Sequence, residues 1–196
     1  MKIIKGDLIK LALDGKFDVI IQGCNCFCTM GAGIAKAIRS EFPEAYEADC
    51  KTEKGSKDKI GTYSHATIDK NGNEITVINA YSQYDFNGPG MKADYDAIRS
   101  VFKKIKTNFS GKRIGYPKIG AGLAGGDWEK ISKIIDEELI DEDHTLVELN
   151  YRPDSKCRDE GSFTQDDRSL TGMLFRKIGI LNPIPSRWNE DGSWNY

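Results

Sequence analysis

The chain has 196 residues, which is enough for one domain with its own hydrophobic core. Its 39% hydrophobic and 30% charged residues are ordinary for a soluble globular protein, and its net charge of −2 argues against a chain that coats nucleic acid. No apolar run reaches the ~18 residues of a membrane span, and the first residues lack the features of a secretory signal. Five cysteines, an odd number, favour free thiols in a reducing compartment. We therefore expect a cytoplasmic protein with neither membrane nor nucleic acid as its partner, and we expect a monomer.

The first half of the chain alternates between predicted strands and helices. The stretch 2–5 predicts a short strand, 7–13 a helical turn, and 17–23 a strand buried on both faces, because it is apolar and β-branched. A helix is predicted over 31–42 from apolar residues at helical spacing. Pro43 then suits the first turn of another helix.

Two predicted strands, 61–68 and 74–82, are joined by Asn71-Gly72, a strong signal for a β-hairpin. A hairpin pairs its strands antiparallel, so the sheet cannot be all parallel. Further along, the pattern predicts a helix over 92–109, a strand over 113–120, a helix over 125–140 and a strand over 144–152. Alternating strands and helices predict an α/β domain with a mixed sheet between helical layers.

The composition changes after residue 152. The stretch 153–167 is polar and typical of a loop, and the chain after it holds Trp188 and Trp194 in a proline-rich context. A purely disordered tail usually has fewer aromatic residues. We therefore expect a domain over 1–152 and a C-terminal extension over 153–196, part of which packs on that domain.

Three closely spaced cysteines raise the question of a metal, redox or nucleophilic site. A zinc site at Cys24, Cys26 and Cys28 would need a fourth ligand and usually a C-x-x-C spacing, and the only histidines, His65 and His144, are distant in sequence. A catalytic thiolate would need a base or a positive neighbourhood, which a helix N-terminus could supply. The pattern favours small packing residues at a strand end, and no metal site is predicted.

Two glycine-rich loops, each between a predicted strand and a predicted helix, are the more informative feature. The first contains Asn25, Gly31 and Gly33, and the second, over 120–126, contains four glycines. Free backbone N–H groups at a helix N-terminus attract anions, and glycine lets a phosphate approach closely. Two such loops at the carboxyl ends of parallel strands could hold a diphosphate from both sides. They could also be tight turns only, and neither matches a Walker loop or a G-x-G-x-x-G fingerprint.

Four stretches in order resemble the macrodomain family: KGDL (5–8), VIIQGCNCFCTMGAGIAKAI (19–38), VINAYSQ (77–83) and PKIGAGLAGGDWEKI (117–131). The resemblance covers about residues 1–152 and is closest to the branch of ADP-ribose 1″-phosphate phosphatases and ADP-ribosyl-glutamate hydrolases. The extension from residue 153 resembles nothing in that fold.

The resemblance implies a three-layer α/β/α sandwich with a mixed sheet of about six strands and a cleft for ADP-ribose. Asp7 would accept a hydrogen bond from the adenine amino group beside the backbone of Leu8, and Asn25 would touch the distal ribose. The loops around the diphosphate would be Gly31, Ala32, Gly33 and Ile34, and Gly120, Ala121, Gly122, Leu123 and Ala124. The cleft would be flanked by residues at two strand ends: Tyr81, Ser82, Asn150 and Tyr151.

Several of these residues also have plainer interpretations. Asp7 could cap the turn that follows it, and Asn25 could hold its own loop through hydrogen bonds to the backbone. Tyr81 and Tyr151 could be packing residues rather than ligand contacts.

Turnover of an ADP-ribose derivative is a separate question from binding. The glutamate-directed hydrolases use a lysine nucleophile and an aspartate in the second loop, but Ala124 stands at the aspartate position and 77–83 contains no lysine. The histidine suggested for the phosphatase branch aligns with Gln22. Asn25 remains to orient a water molecule, Asp127 remains as a possible base unless it only caps the next helix, and the loop amides can stabilise phosphoryl oxygens.

We therefore predict an enzyme that hydrolyses ADP-ribose 1″-phosphate to ADP-ribose and phosphate. Asn25 and Asp127 are its candidate catalytic residues, and neither a cofactor nor a metal is expected. Two alternatives stay open: a non-catalytic ADP-ribose-binding module, and a mono-ADP-ribosyl hydrolase whose partner is ADP-ribosylated protein.

Overall fold

A computed structural model describes residues 1–70 and 72–149. Asn71, Asn150, Tyr151 and the extension over 153–196 lie outside the described residues. The strands are β1 (Lys2–Lys5), β2 (Val19–Cys24), β3 (Tyr63–Lys70), β4 (Asn73–Tyr81), β5 (Ile114–Tyr116) and β6 (His144–Glu148). The helices are α1 (Leu8–Leu13), α2 (Gly33–Glu41), α3 (Pro43–Cys50), α4 (Tyr95–Phe109) and α5 (Trp128–Glu138), with a 3₁₀ turn at Lys57–Lys59. Every strand and helix predicted before residue 150 is present, but the strand predicted over 113–120 covers only Ile114–Tyr116, because Pro117 has no backbone N–H to extend the pairing, and the one predicted over 144–152 is His144–Glu148.

The strands form one six-stranded sheet in the order β1-β6-β5-β2-β4-β3. Neighbouring strands are parallel except β3, which pairs antiparallel with β4. The β3–β4 pairing ends at Lys70 opposite Asn73, and Gly72 has φ +79°, a left-handed value that glycine adopts without strain. The predicted mixed sheet is therefore confirmed.

Helices cover both faces of this sheet. Along β2, Val19 and Ile21 point to the core beneath α4 and α5, whereas Ile20 points to the core beneath α1, α2 and α3. This alternation follows from the two-residue period of a strand, and it explains why β2 is apolar throughout. The arrangement confirms the predicted α/β/α sandwich.

Aspartate side chains cap the N-termini of α4 and α5, the two helices of one layer. Asp94 caps α4 by accepting a hydrogen bond from Ala97 N at 2.9 Å. The buried face of α4 includes Ile98 and Val101. Asp127 caps α5 by accepting from Glu129 N at 2.9 Å, as the sequence predicts. No helix among the described residues is long and apolar enough to cross a membrane.

The parallel strands all end at the same edge of the sheet, and this edge brings the predicted site residues together. Asn25 follows β2, Pro117 follows β5 and Leu149 follows β6, while Asp7 comes two residues after β1. The fold therefore gathers four separate segments of the chain where α/β sheets bind their ligands.

Candidate functional site

Two adjoining cavities open at the carboxyl edge of the sheet, with volumes of about 640 Å³ and 690 Å³. We call them the first and second cavity, and together the cleft. They share five lining residues: Gly33, Ile34, Pro117, Lys118 and Gly122. Gly33 and Ile34 belong to the first glycine-rich loop, Gly122 belongs to the second, and Pro117 and Lys118 lead into the second, so the two loops form the wall between the cavities. A third cavity of about 630 Å³, at the opposite edge, holds none of the predicted site residues.

Asn25 lines the first cavity at the end of β2, and both ends of its side-chain amide have partners in its own loop. Oδ1 accepts a hydrogen bond from Phe27 N at 2.8 Å. Nδ2 donates to Thr29 Oγ1 at 2.8 Å and to the Thr29 carbonyl at 3.3 Å. The residue is 8% exposed. Asn25 thus shapes the loop that carries it, which is the plainer interpretation offered above, while it also faces the cavity.

The first glycine loop leads directly into α2. The N-cap residue, Ala32, has no side chain that could accept a hydrogen bond from the first turn. Gly31, Ala32, Gly33 and Ile34 all line the first cavity, and an added Cβ at Gly31 would meet no atom within 4 Å. This helix N-terminus therefore presents uncapped amides and a positive dipole end to the cavity, which suits an anion.

The second glycine loop is held from behind by tight packing. Gly126 N donates to the Gly120 carbonyl at 2.8 Å, and the Ala124 carbonyl accepts from Lys92 N at 2.8 Å. A Cβ on Gly126 would lie 2.7 Å from that Gly120 oxygen, so only glycine fits there. Of the predicted residues in this loop, Gly120, Gly122, Leu123 and Ala124 line the first cavity, and Ala121 and Gly122 line the second.

The second cavity contains the residues predicted for adenine. Asp7 and Leu8 both line it. Asp7 Oδ1 also accepts from Ile9 N at 2.9 Å and Lys10 N at 3.2 Å, which caps α1. The same carboxylate therefore caps a helix and faces the cavity, and the two interpretations are compatible because only one of its oxygens is used by the cap.

Three predicted residues lie outside both cavity walls. Tyr81 is buried, and its hydroxyl donates to Asp49 Oδ1 at 2.8 Å and lies 2.8 Å from Ser64 Oγ, so Tyr81 packs in the interior rather than against the cleft. Ser82 is buried below the floor, where its Oγ would lie 3.0 Å from a Cβ on Gly23. Asp127 directs its carboxylate to the start of α5. Its place there follows from the N-cap position, which points the side chain back at the helix.

The cysteines of the first loop have the surroundings of packing residues. Among residues 1–70 and 72–149, no three His, Cys, Asp or Glu side chains cluster closely enough to hold a metal ion. Cys24 lines the first cavity, but burial raises the pKa of its thiol well above the ordinary range, which keeps it protonated. Cys28, at φ +56°, receives a hydrogen bond from Lys59 Nζ at 3.4 Å beneath the loop. These contacts match the packing interpretation.

Sequence reasoning missed two charged residues of the cleft. Lys118 lines both cavities, and its Nζ lies 2.8 Å from Glu148 Oε1 in the wall of the second. The hydrogen bond from Lys118 lowers the pKa of Glu148. The local signal for Lys118 is its position in the stretch PKIG, directly after a strand end. Its pairing with Glu148, 30 residues later, has no local sequence signal.

Comparisons with known proteins agree with this geometry. A family model described as Macro domain matches residues 21–135, more than half of the chain. An uncharacterized 17.5 kDa protein from the tk-vs intergenic region of Enterobacteria phage T4 is 36% identical over 141 residues, covering 69% of this chain and 88% of that protein.

Two further similarities are more distant. An ADP-ribose 1″-phosphate phosphatase of Debaryomyces hansenii is 28% identical over 166 residues, covering 70% of this chain and 93% of that protein. A solved structure of a protein of unknown function from Bacteroides thetaiotaomicron has a TM-score of 0.62 at 28% identity, covering 76% of this chain and 96% of that one. The family model, the 36% identical relative, the sheet order and the two glycine loops all lead to the same assignment. This chain belongs to the Macro domain family.

Proposed function

We propose that the cleft binds ADP-ribose, with adenine beside Asp7, the diphosphate between the two glycine loops and the distal ribose beside Asn25. The observation that carries this proposal is the pair of loops that separates the two cavities. A diphosphate is the link between two bulkier groups, and the uncapped α2 N-terminus faces the position that such a link would occupy. The cavities on either side are large enough for a nucleoside and a second sugar.

We further propose that the protein hydrolyses ADP-ribose 1″-phosphate, so that water and this ester give ADP-ribose and phosphate. Support comes from relatives that carry the name ADP-ribose 1″-phosphate phosphatase, at 25% to 28% identity. The chemistry available is positioning and electrostatic stabilisation by loop amides around the phosphoryl oxygens. Asn25 would place the reacting end of the ligand. Asp127, which caps α5 outside the cavity walls, is a weaker candidate for a base than its sequence position suggests.

Binding without turnover is the second candidate function, and one observation favours it. Among the described residues that line the first cavity, Cys24 and Lys118 are the ionisable side chains. The Cys24 thiol is protonated and Lys118 is engaged with Glu148, so neither is placed as a general base. A mono-ADP-ribosyl hydrolase that acts on modified protein would likewise find no general base among the described residues that line the first cavity.

Phosphorus NMR of the protein with ADP-ribose 1″-phosphate tests both candidates at once. Shifted diphosphate signals and growing inorganic phosphate are expected if the protein binds and hydrolyses the ester. Shifted signals without free phosphate would leave a binding module, and ADP-ribosylated protein would be the next substrate to try. Unchanged signals would overturn the proposed cleft. Asn25→Ala should reduce both effects if Asn25 acts in the site.

We also propose that residues 1–152 form the binding domain and that 153–196 are an extension. A chain ending at residue 152 should keep the affinity of the full chain for ADP-ribose if the cleft is complete without the extension. A lower affinity or a lower Tm would show instead that the extension contributes to binding or packing.

A further inference from the structure

The cleft has an unusual balance of charge for a site that takes an anion. Its described lining residues include three that carry a full charge at neutral pH: Asp7, Glu148 and Lys118. Two of them are carboxylates, and both line the second cavity. Loop amides donate hydrogen bonds but carry no net charge, so Lys118 is the only cation in those walls that can neutralise a bound phosphate.

Lys118 lies in the wall between the two cavities, from which its side chain can face either one. It follows Pro117 directly after β5, in the wall that the cavities share with Gly33 and Gly122 of the two loops. Its ammonium is held by Glu148 at 2.8 Å, on the side of the second cavity. The ammonium is therefore drawn away from the first cavity while the pair is intact.

The pair is suited to break and re-form. The side chain of Lys118 is 48% exposed and that of Glu148 is 34% exposed. An ion pair so open to water contributes little to stability, so exchanging one anionic partner for another costs little. A lysine ammonium on a flexible four-carbon stem can reach several positions along the wall.

Resting on the proposed binding of ADP-ribose, we infer that Lys118 transfers from Glu148 to a phosphate of the ligand, and that Glu148 acts as a competing intramolecular anion. Glu148 sets the affinity in this scheme, because the ligand must displace it before Lys118 is free. Removal of the lysine and removal of the glutamate then have opposite effects on the affinity. An ion pair that only stabilises the fold would instead make both removals weaken binding.

The test uses calorimetric titration of the full chain with ADP-ribose and with adenosine, which has no phosphate. Lys118→Met should weaken ADP-ribose binding about tenfold, as expected for the loss of a charge-assisted hydrogen bond. Glu148→Gln, which keeps the shape and an acceptor oxygen, should strengthen it about threefold by removing the competing charge. Both variants should leave adenosine binding within about twofold of wild type, since no phosphate is present to compete.

Two controls separate transfer from general electrostatics. Lys112→Met removes an equal charge from an exposed position before β5, at the opposite edge of the sheet, and should leave affinity unchanged. In the double variant Lys118→Met/Glu148→Gln, the glutamate change should have no further effect if it acts through Lys118.

Each other result overturns the inference. Weaker ADP-ribose binding by both single variants, or a parallel loss of adenosine binding, would make the pair structural. A gain from Glu148→Gln that persists without Lys118 would show direct repulsion rather than transfer. If wild type binds ADP-ribose but neither variant changes its affinity, the inference alone fails. If wild type does not bind it, the proposed function fails first.

Discussion

Asn25 and Thr29 are joined side chain to side chain across the first loop, with Asn25 Nδ2 donating to Thr29 Oγ1 at 2.8 Å. Asn25 is buried whereas Thr29 is exposed, so the bond ties a fixed residue at the end of β2 to the outer part of the loop. Both residues line the first cavity. The Thr29 hydroxyl is therefore one of the contacts that hold the wall of that cavity in place.

Thr29→Val, which replaces this hydroxyl with a methyl group of similar size, should weaken ADP-ribose binding about fivefold through loss of about 1 kcal/mol of loop stabilisation. Thr29→Ser keeps the hydroxyl and should bind as wild type does. Isothermal titration of the two variants under the same conditions measures the difference. Equal affinities for both would show that the hydrogen bond does not control the cavity.

Gly122→Ala and Gly126→Ala should separate binding from folding. An added methyl at Gly126 meets the Gly120 oxygen at 2.7 Å and Ala93 Cβ at 2.8 Å, and overpacking of this kind costs about 1–3 kcal/mol. A methyl at Gly122 meets no atom within 4 Å and stands in the wall of both cavities. We expect a lower Tm for Gly126→Ala, and for Gly122→Ala an unchanged Tm with at least about tenfold weaker ADP-ribose binding.

The reverse pattern would contradict both the packing and the position of the cleft. Thermal unfolding by circular dichroism, followed by titration at a temperature where both variants are folded, distinguishes the two effects.

Lys59→Met should strongly destabilise the protein. Lys59 Nζ lies 3.2 Å from Asp49 Oδ1, and the two side chains are 7% and 1% exposed. Removing the lysine leaves a buried carboxylate without its counter-ion, which costs about 3–5 kcal/mol. The double variant Lys59→Met/Asp49→Asn removes both charges and should recover part of that loss in chemical denaturation. A double variant no more stable than Lys59→Met would show that the ion pair is not the cause.

Stability should fall as the pH drops below neutrality, in part because of His144. Burial lowers the pKa of this imidazole, and its Nδ1 lies 2.7 Å from the Tyr116 hydroxyl. The unfolded chain therefore takes up a proton first, near its ordinary pKa of about 6.5, and the protein loses stability from there down through the lowered folded value.

The corresponding measurement is Tm between about pH 7.5 and 5.5 for wild type and His144→Gln, a range centred on the ordinary histidine pKa. The variant should show a shallower slope, whatever its stability at neutral pH. Identical slopes would assign the pH dependence to other groups.

Most of the fold was predictable because its signals are local. The apolar run of β2, the proline that opens α3 and the aspartate that caps α5 each specify one element from a few neighbouring residues. The glycine loops were predictable for the same reason, since they stand between a strand and a helix in sequence.

The parts that sequence reasoning could not supply depend on distant contacts. Tyr81 stands at a strand end, as a cleft residue would, but α3 places Asp49 beside its hydroxyl and commits it to the interior. Glu148 meets Lys118 only because β5 and β6 are neighbours in the sheet. These pairings come from strand order and helix packing, which no short stretch of sequence encodes.

The missing side-chain cap on α2 links the ligand to the local order of the protein. Ala32 leaves the first turn of that helix without the acceptor that a serine or aspartate would provide, and such a cap is typically worth about 1 kcal/mol. An anion held there would complete the helix from solution. Amide hydrogens at the start of α2 should then exchange with solvent more slowly as ligand is added. The bound anion would then act as the N-cap of α2, and this cap would be lost whenever the ligand dissociates.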